Sequence, residues 1–326
     1  MNRRTFLWNS IQLACALQLA PLVFAGESEI PQPIETLYHN ALVIDALAGV
    51  NVEDIPLSPQ SLQQALESGV TACNWTVSQP DFEGTVENIA FIEALIENDP
   101  AHWLIVRRHS DLERAKREQK IGIIVDFQHP EPMGADLKRF ETFRRLGVRV
   151  IQLTYNNRGL FGDGCLEPGN AGLSKLGRAA VAKMNELGIA VDLSHCGQRT
   201  TAEAIAASAK PVLITHAGCS AVHPHPRNKD DRELRALADR GGVIGIYFMP
   251  YLVASPTLPA REHALQHLDH ALQVCGSDHV ASAATECWTP FRTRPRSAKP
   301  SRRIWRGARS WESPRRKKTG RRIRRT

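Results

Sequence analysis

The feature that most restricts the fold is a repeating alternation. Short runs rich in apolar and β-branched residues recur along the chain, and each is followed by a stretch with helical periodicity. The runs occupy residues 41–44, 70–75, 121–125, 148–153, 189–193, 212–214 and 243–247, and a short eighth begins at His279-Val280. Helical patterns fill 62–67, 85–98, 111–118, 136–146, 175–187, 201–207, 230–239 and 261–274. Apolar strands alternating with amphipathic helices imply parallel strands covered by helices. Gly69, Gly147, Gly188 and Gly241 each stand between a helix and the next strand, where a left-handed glycine closes the last helical turn. Eight such units in about 240 residues predict an α/β fold, a (β/α)8 TIM-like barrel. A doubly wound open sheet is the alternative. It calls for a glycine-rich phosphate-binding turn after an early strand, which the sequence lacks.

Polar residues fall where such a barrel carries its chemistry. Asp45 follows the first run, Asp126 to His129 the third, and Tyr155-Asn156-Asn157 the fourth. Ser194-His195 follows the fifth run and Thr215-His216 the sixth. The C-terminal ends of barrel strands form the face that holds active sites. Adjacent strands lie about 4.8 Å apart, so His195 and His216 can converge on one ion. Neutral imidazole is a good zinc ligand, and rigid strand ends preorganise it. Position alone leaves two readings open: a metal pair, which needs a third or fourth ligand, or two hydrogen-bonded histidines at a polar barrel mouth.

Charge and cysteine content narrow the class further. The net charge of +7 is local, because residues 291–326 hold 16 of the 41 Lys and Arg and a single acid, Glu312. Without that segment 25 basic residues face 33 acidic ones, so no nucleic-acid partner is expected of the body. The seven cysteines are irregularly spaced and include no CxxC pair, which argues against a disulfide framework or a structural zinc motif. Arg3-Arg4-Thr5-Phe6-Leu7 is a twin-arginine pattern, followed by an apolar stretch from Ile11 to Ala25. Residues 1–25 are therefore expected to be a signal peptide for twin-arginine export to the periplasm, with no transmembrane anchor. Residues 26–280 form the expected barrel domain.

The stretch from Leu146 to Gly245 resembles the membrane-dipeptidase family (peptidase family M19) in a divergent bacterial form. The matching pieces are Leu146-Gly147-Val148-Arg149, Leu153-Thr154-Tyr155-Asn156, Gly172-Leu173-Ser174 with Gly177, and Asp192-Leu193-Ser194-His195. They continue through Thr215-His216, Pro226-Arg227-Asn228 and Gly241-Gly242-Val243-Ile244-Gly245. The resemblance implies a two-zinc barrel hydrolase in which a metal-activated water attacks the amide of a dipeptide. It implies His195 and His216 as ligands of the second metal and Arg227 as the partner of the substrate carboxylate. Tyr155 stands where many members carry a substrate-polarising histidine.

The departures are equally specific. Leu47 and Gly49 occupy the positions of the family's His-x-Asp ligand pair, and Asp126 is the nearest carboxylate to the missing bridging Glu. Asp126 is thus a candidate metal ligand, or else a buried or loop-capping aspartate. The zinc content implied is one or two ions, with the first-metal site degraded. A catalytically inactive barrel that binds or scaffolds in the periplasm is the alternative function.

Residues 281–326 are rich in Arg, Ser and Pro and hold three of the six tryptophans, a composition that predicts disorder. A basic arm for nucleic acid is one reading of this tail. We favour a change of reading frame near Val280. Read one base earlier, GC-rich codons for residues 281–286 give Gly-Ile-Gly-Ser-Asp-Gly, which fits the Gly-Ile-Gly-x-Asp that family members carry there. On that reading the eighth strand is incomplete and a catalytic aspartate is lost.

Overall fold

Strands and helices alternate from end to end in the computed structural model, which describes residues 32–48, 58–254, 257 and 259–283. The expected signal segment and the basic tail beyond Ala283, with its reading-frame interpretation, lie outside the described residues. The strands are β1 (Ile44–Ala48), β2 (Ala72–Thr76), β3 (Trp103–Ile105), β4 (Ile121–Phe127), β5 (Val148–Gln152), β6 (Ala190–Asp192), β7 (Leu213–Ala217), β8 (Val243–Tyr247) and β9 (Val280–Ala283). The helices are α1 (Gln32–Asn40), α2 (Pro59–Glu67), α3 (Phe82–Asn98), α4 (His109–Glu118), α5 (Lys138–Arg145), α6 (Lys175–Leu187), α7 (Gln198–Ala207), α8 (Asp231–Asp239) and α9 (Arg261–Cys275).

All strand pairs are parallel, in the order β1-β2-β4-β5-β6-β7-β8-β9. β9 lies against β1, so eight strands make a nearly closed (β/α)8 barrel, as the alternation predicts. No ladder pairs join β9 to β1 among the described residues.

Strand register sorts side chains into two populations. Trp75, Ile123, Val125, Phe127, Ile151, Val191, Ile214 and Ile244 share one buried cluster with helix residues such as Ile92 of α3, Phe143 of α5, Met184 of α6 and Leu237 of α8. That layer between sheet and helices is the main core. Alternate strand positions carry Asn74, Asp126, Gln152, Asp192 and Thr215, all buried, so the barrel interior is polar. Helix starts follow their sequence signals. Ser174 Oγ accepts from Gly177 N at 2.9 Å to cap α6, and Asp230 with Glu233 forms a reciprocal capping box at α8.

Two expectations about the strands are corrected. The first strand is Ile44–Ala48 and not residues 41–44, so Asp45 lies within it. The ladder shifts register between Asp45 and Ala48, and Asp45 Oδ1 accepts from Leu47 N at 3.1 Å, which lets a carboxylate sit inside an otherwise apolar strand. Asp126 and His216 likewise lie inside their strands rather than after them. β3 was not expected. It is three residues long and pairs only with Ile121–Ile123 of β4, on the edge that β5 takes over from Val125 onward. The eighth barrel strand pairs past Val280, with Val280 to Ala283 in register with Ile244 to Tyr247, and leaves the barrel nearly closed. Ala281, Ser282 and Ala283 are weak strand formers, but β8 supplies them with a complete backbone ladder.

Candidate active site

The tips of β5, β6 and β7 bring the predicted residues together. β6 ends at Asp192, and Leu193-Ser194 carries the chain to His195; His216 is the fourth residue of β7. Both imidazoles are buried, with their Nε2 atoms 2.8 Å apart and ring planes at 61°. Their outer nitrogens are engaged. His195 Nδ1 lies 2.8 Å from Asn156 Oδ1, just beyond β5. His216 Nδ1 lies 2.8 Å from Thr215 Oγ1, whose hydroxyl donates to Asp192 Oδ2 at 2.9 Å. With the Thr215 proton on Asp192, His216 Nδ1 donates to Thr215 Oγ1 and His216 Nε2 presents a lone pair. The 2.8 Å between the two Nε2 atoms is a hydrogen-bond distance, and a cation bound there would take the place of the proton they share.

Burial, above all, holds both histidines well below their usual pKa; the charge of Arg227 adds to it in each case. They are neutral at pH 7, as metal ligation requires. The same donor set does not fit two ions. Among the described residues no group of three His, Cys, Asp or Glu side chains is placed to hold a metal. Leu47, at the family's first-ligand position, is buried in an apolar cluster with Tyr247, Leu252 and Ala283; Gly49 lies outside the described residues.

Arg227 is buried beside the pair. Its guanidinium donates to the backbone carbonyls of Ser194 and His216, and lies 5.7 Å from the ring centre of Tyr247. No carboxylate of the described residues pairs with it. Tyr155 stacks on His195, with centroids 4.2 Å apart and planes at 18°, and the His129 ring is 5.0 Å from it. Burial raises the Tyr155 pKa, with Arg227 acting in the opposite sense, so the phenol is a donor at neutral pH rather than a base.

Asp126 belongs to no group of three His, Cys, Asp or Glu side chains placed to hold a metal among the described residues. It is buried in β4, and neither carboxylate oxygen has a hydrogen-bond partner. Burial and then the charge of Asp192 push its pKa well above the carboxylate range, against a small pull from the Phe127 backbone. The sequence pattern also does not single out Asn156, Asp192 or Thr215 as site residues. The available signal was the Ser or Thr immediately before each histidine.

A cavity of about 420 Å³ is lined by Cys165, Glu167, Gln198, His225, Lys229 and Glu233 among others, and neither histidine of the pair lines it. Lys229 Nζ fixes this wall by donating to Cys196 O at 2.8 Å and Thr201 Oγ1 at 3.0 Å. His225 stacks on Tyr251 at 4.6 Å, and burial with the charge of Arg227 brings its pKa down to about 4.

The model for membrane dipeptidases, peptidase family M19, matches residues 32–285. The chain belongs to this family. It is 32% identical over 200 residues to dipeptidase verJ of Clonostachys rogersoniana, covering 60% of this chain and 51% of that protein. The chain spans about half the length of the curated relatives it matches. Among solved structures, an amidohydrolase from Pseudomonas aeruginosa superposes with a TM-score of 0.70 at 31% identity, covering 80% of this chain and 78% of that one. A Rhodobacter sphaeroides metallopeptidase, liganded with a phosphinate mimic of the dipeptide L-Ala-D-Ala, shares the fold at TM-score 0.66 and 20% identity. It covers 75% of this chain and 85% of its own. The chain carries its two histidines at the C-terminal ends of β6 and β7. No helix of the described residues is long and apolar enough to cross a membrane.

Proposed function

We propose that this chain is a dipeptidase-like hydrolase working with one divalent metal ion, held by His195 and His216, on dipeptides whose free carboxylate pairs with Arg227. The observation that carries this reading is the convergence of the two imidazole Nε2 atoms, 2.8 Å apart, beside a buried guanidinium that no carboxylate of the described residues pairs with. Zinc is the ion that the family resemblance implies. When bound, it supplies Lewis acidity and a water of lowered pKa.

The chain's own residues do the rest. Arg227 binds and orients the substrate carboxylate through its forked donors. Tyr155 offers a neutral phenol proton at the rim. Asn156 and Thr215 keep the imidazoles turned so that their Nε2 atoms stay free. A periplasmic location belongs to the same proposal and rests on the Arg3-Arg4 segment; cell fractionation checks it.

One observation favours the second reading, a binding barrel without catalysis. Leu47 and its apolar neighbours stand where a first metal would be held, and no three-ligand group is present among the described residues. A single experiment separates the two. The purified chain is dialysed against zinc, its metal content measured, and a panel of L,L- and L,D-dipeptides assayed alongside their C-terminal amides. The hydrolase reading expects about one equivalent of zinc and turnover of free acids only. Bound dipeptide without turnover supports the second reading.

A further inference from the structure

The two histidine-bearing strand tips are held together by very little backbone. β6 and β7 share one register pair, Asp192 with Leu213, and Leu193 N donates to Leu213 O at 2.8 Å. β7 and β8, by contrast, pair at Leu213–Val243, Ile214–Ile244 and Ala217–Ile246. Beyond Leu193 the two chains part, yet His195 and His216 are placed within 2.8 Å of each other.

One carboxylate fills the gap. Asp192 Oδ1 accepts from Ser194 Oγ at 2.6 Å, Ser194 N at 3.2 Å and Thr215 N at 2.9 Å, while Oδ2 accepts from Thr215 Oγ1 at 2.9 Å. The network closes when His216 N donates to Ser194 Oγ at 3.0 Å. Ser194 immediately precedes His195, and Thr215 immediately precedes His216. A hydroxyl residue before each ligand thus docks on the same buried acid. Asp192, Ser194 and Thr215 are all buried, so these bonds are shielded from water and charge-assisted.

We propose that Asp192 is the positioning residue of the histidine pair: it clamps the two strand tips at a fixed separation and, through Thr215, orients the His216 ring. It touches neither metal nor substrate. Its influence on the metal rests on the one-ion reading above, but its influence on the rings does not.

The Thr215 hydroxyl has one proton. With Asp192 accepting it, Thr215 Oγ1 is free to accept from His216 Nδ1–H, which leaves Nε2 bare. In Asp192→Asn, the amide retains one oxygen for the backbone donors and turns its NH2 toward Thr215. Thr215 then accepts from the amide and donates to His216 Nδ1, which moves the ring proton to Nε2 and blocks ligation.

The test compares the full chain with Asp192→Asn, Thr215→Val and Thr215→Ser. Long-range ¹H–¹⁵N spectra of the imidazoles report the tautomer without metal, and cobalt(II) titration followed by visible absorption reports affinity. Asp192→Asn should convert His216 from the Nδ1–H to the Nε2–H form and weaken cobalt binding roughly 10–100-fold. Thr215→Val should weaken binding with Asp192 intact, and Thr215→Ser should restore it. An unchanged His216 tautomer together with cobalt affinity within twofold of wild type in Asp192→Asn would overturn the proposal. If Asp192→Asn fails to fold, the Thr215 pair decides: equal spectra and affinities for Val and Ser refute the relay. A wild-type chain that binds no cobalt defeats the one-ion reading alone, because the tautomer comparison still tests the clamp.

Discussion

Replacing Arg227 with methionine separates a ligand-binding role from a structural one. The side chain donates two hydrogen bonds to backbone carbonyls, each contributing about 1.5–3 kcal/mol because the donor is charged. Their loss costs about 3–6 kcal/mol. Against this, a guanidinium buried without a carboxylate partner carries a desolvation penalty of several kcal/mol, which the variant relieves. Methionine retains the apolar stem of the side chain, though not the guanidinium contact with the Tyr247 ring. The opposing effects leave a net change within about 2 kcal/mol, or a shift in Tm of up to about 8 °C for a domain of this size. Ligand binding has no such offset. Removing one partner of a buried charge pair costs about 2–5 kcal/mol, roughly 30- to 5,000-fold in affinity. Calorimetric binding of a dipeptide and its C-terminal amide, beside a thermal melt, is the assay. Arg227→Met should bind acid and amide alike while melting near wild type. A variant that still prefers the free acid, or that melts more than about 12 °C lower, would show that Arg227 serves chiefly to tie two carbonyls together.

Two further outcomes concern pH, both for the metal-free chain. Asp126 has its folded pKa raised far above the unfolded value, so the stability of its neutral form is present at low pH and lost as pH rises through the folded pKa. Asp126→Asn, which cannot ionise, should gain in denaturant midpoint over wild type between pH 5 and pH 9; an offset independent of pH contradicts the assignment. His195 and His216 have folded pKa values below the ordinary 6.5, so the unfolded chain binds more protons below that pH. Their contribution is complete above pH 6.5 and is lost as pH falls toward the folded values, and His225, at about 4, acts in the same window. Replacing both site histidines with glutamine should flatten the acid side of the stability profile. An unchanged profile would mean that they titrate normally.

The parts of the fold legible in the sequence were those with long apolar runs. β4, β5, β7 and β8 stand out because their helix-facing residues are large and their cores continuous. β1 was displaced because Asp45 looks like the end of a strand and is in fact accommodated within one. β3 is too short to show a period, and the small residues of β9 show none until β8 is beside them. The site divides in the same way. His195 and His216 could be found because each closes an apolar run. Asn156, Asp192 and Thr215 could not be ranked, because a polar residue at a strand end acquires meaning only through its neighbour across the register. Asp126 shows the converse: a carboxylate at a plausible position along the chain that belongs to no three-residue ligand group among the described residues.

The two sides of the barrel mouth are stabilised by different physics, and this bears on how many ions it can take. On the β6–β7 side a buried acid is saturated by hydroxyl and amide donors, and such a network holds geometry tightly only when every member is satisfied. On the β1–β9 side the side chains of Leu47, Tyr247, Leu252 and Ala283 form an apolar cluster, at a seam where no ladder joins the strands among the described residues. A ligand for a second ion would have to project from β1 at Leu47. An imidazole or carboxylate there would be buried against Ala283 and the ring of Tyr247, whose hydroxyl is already committed to Asn228 Oδ1 at 2.9 Å. An unpartnered polar group in such a place costs about 1–3 kcal/mol or more. The packing of the mouth thus disfavours a second ion, whatever the histidine pair itself binds.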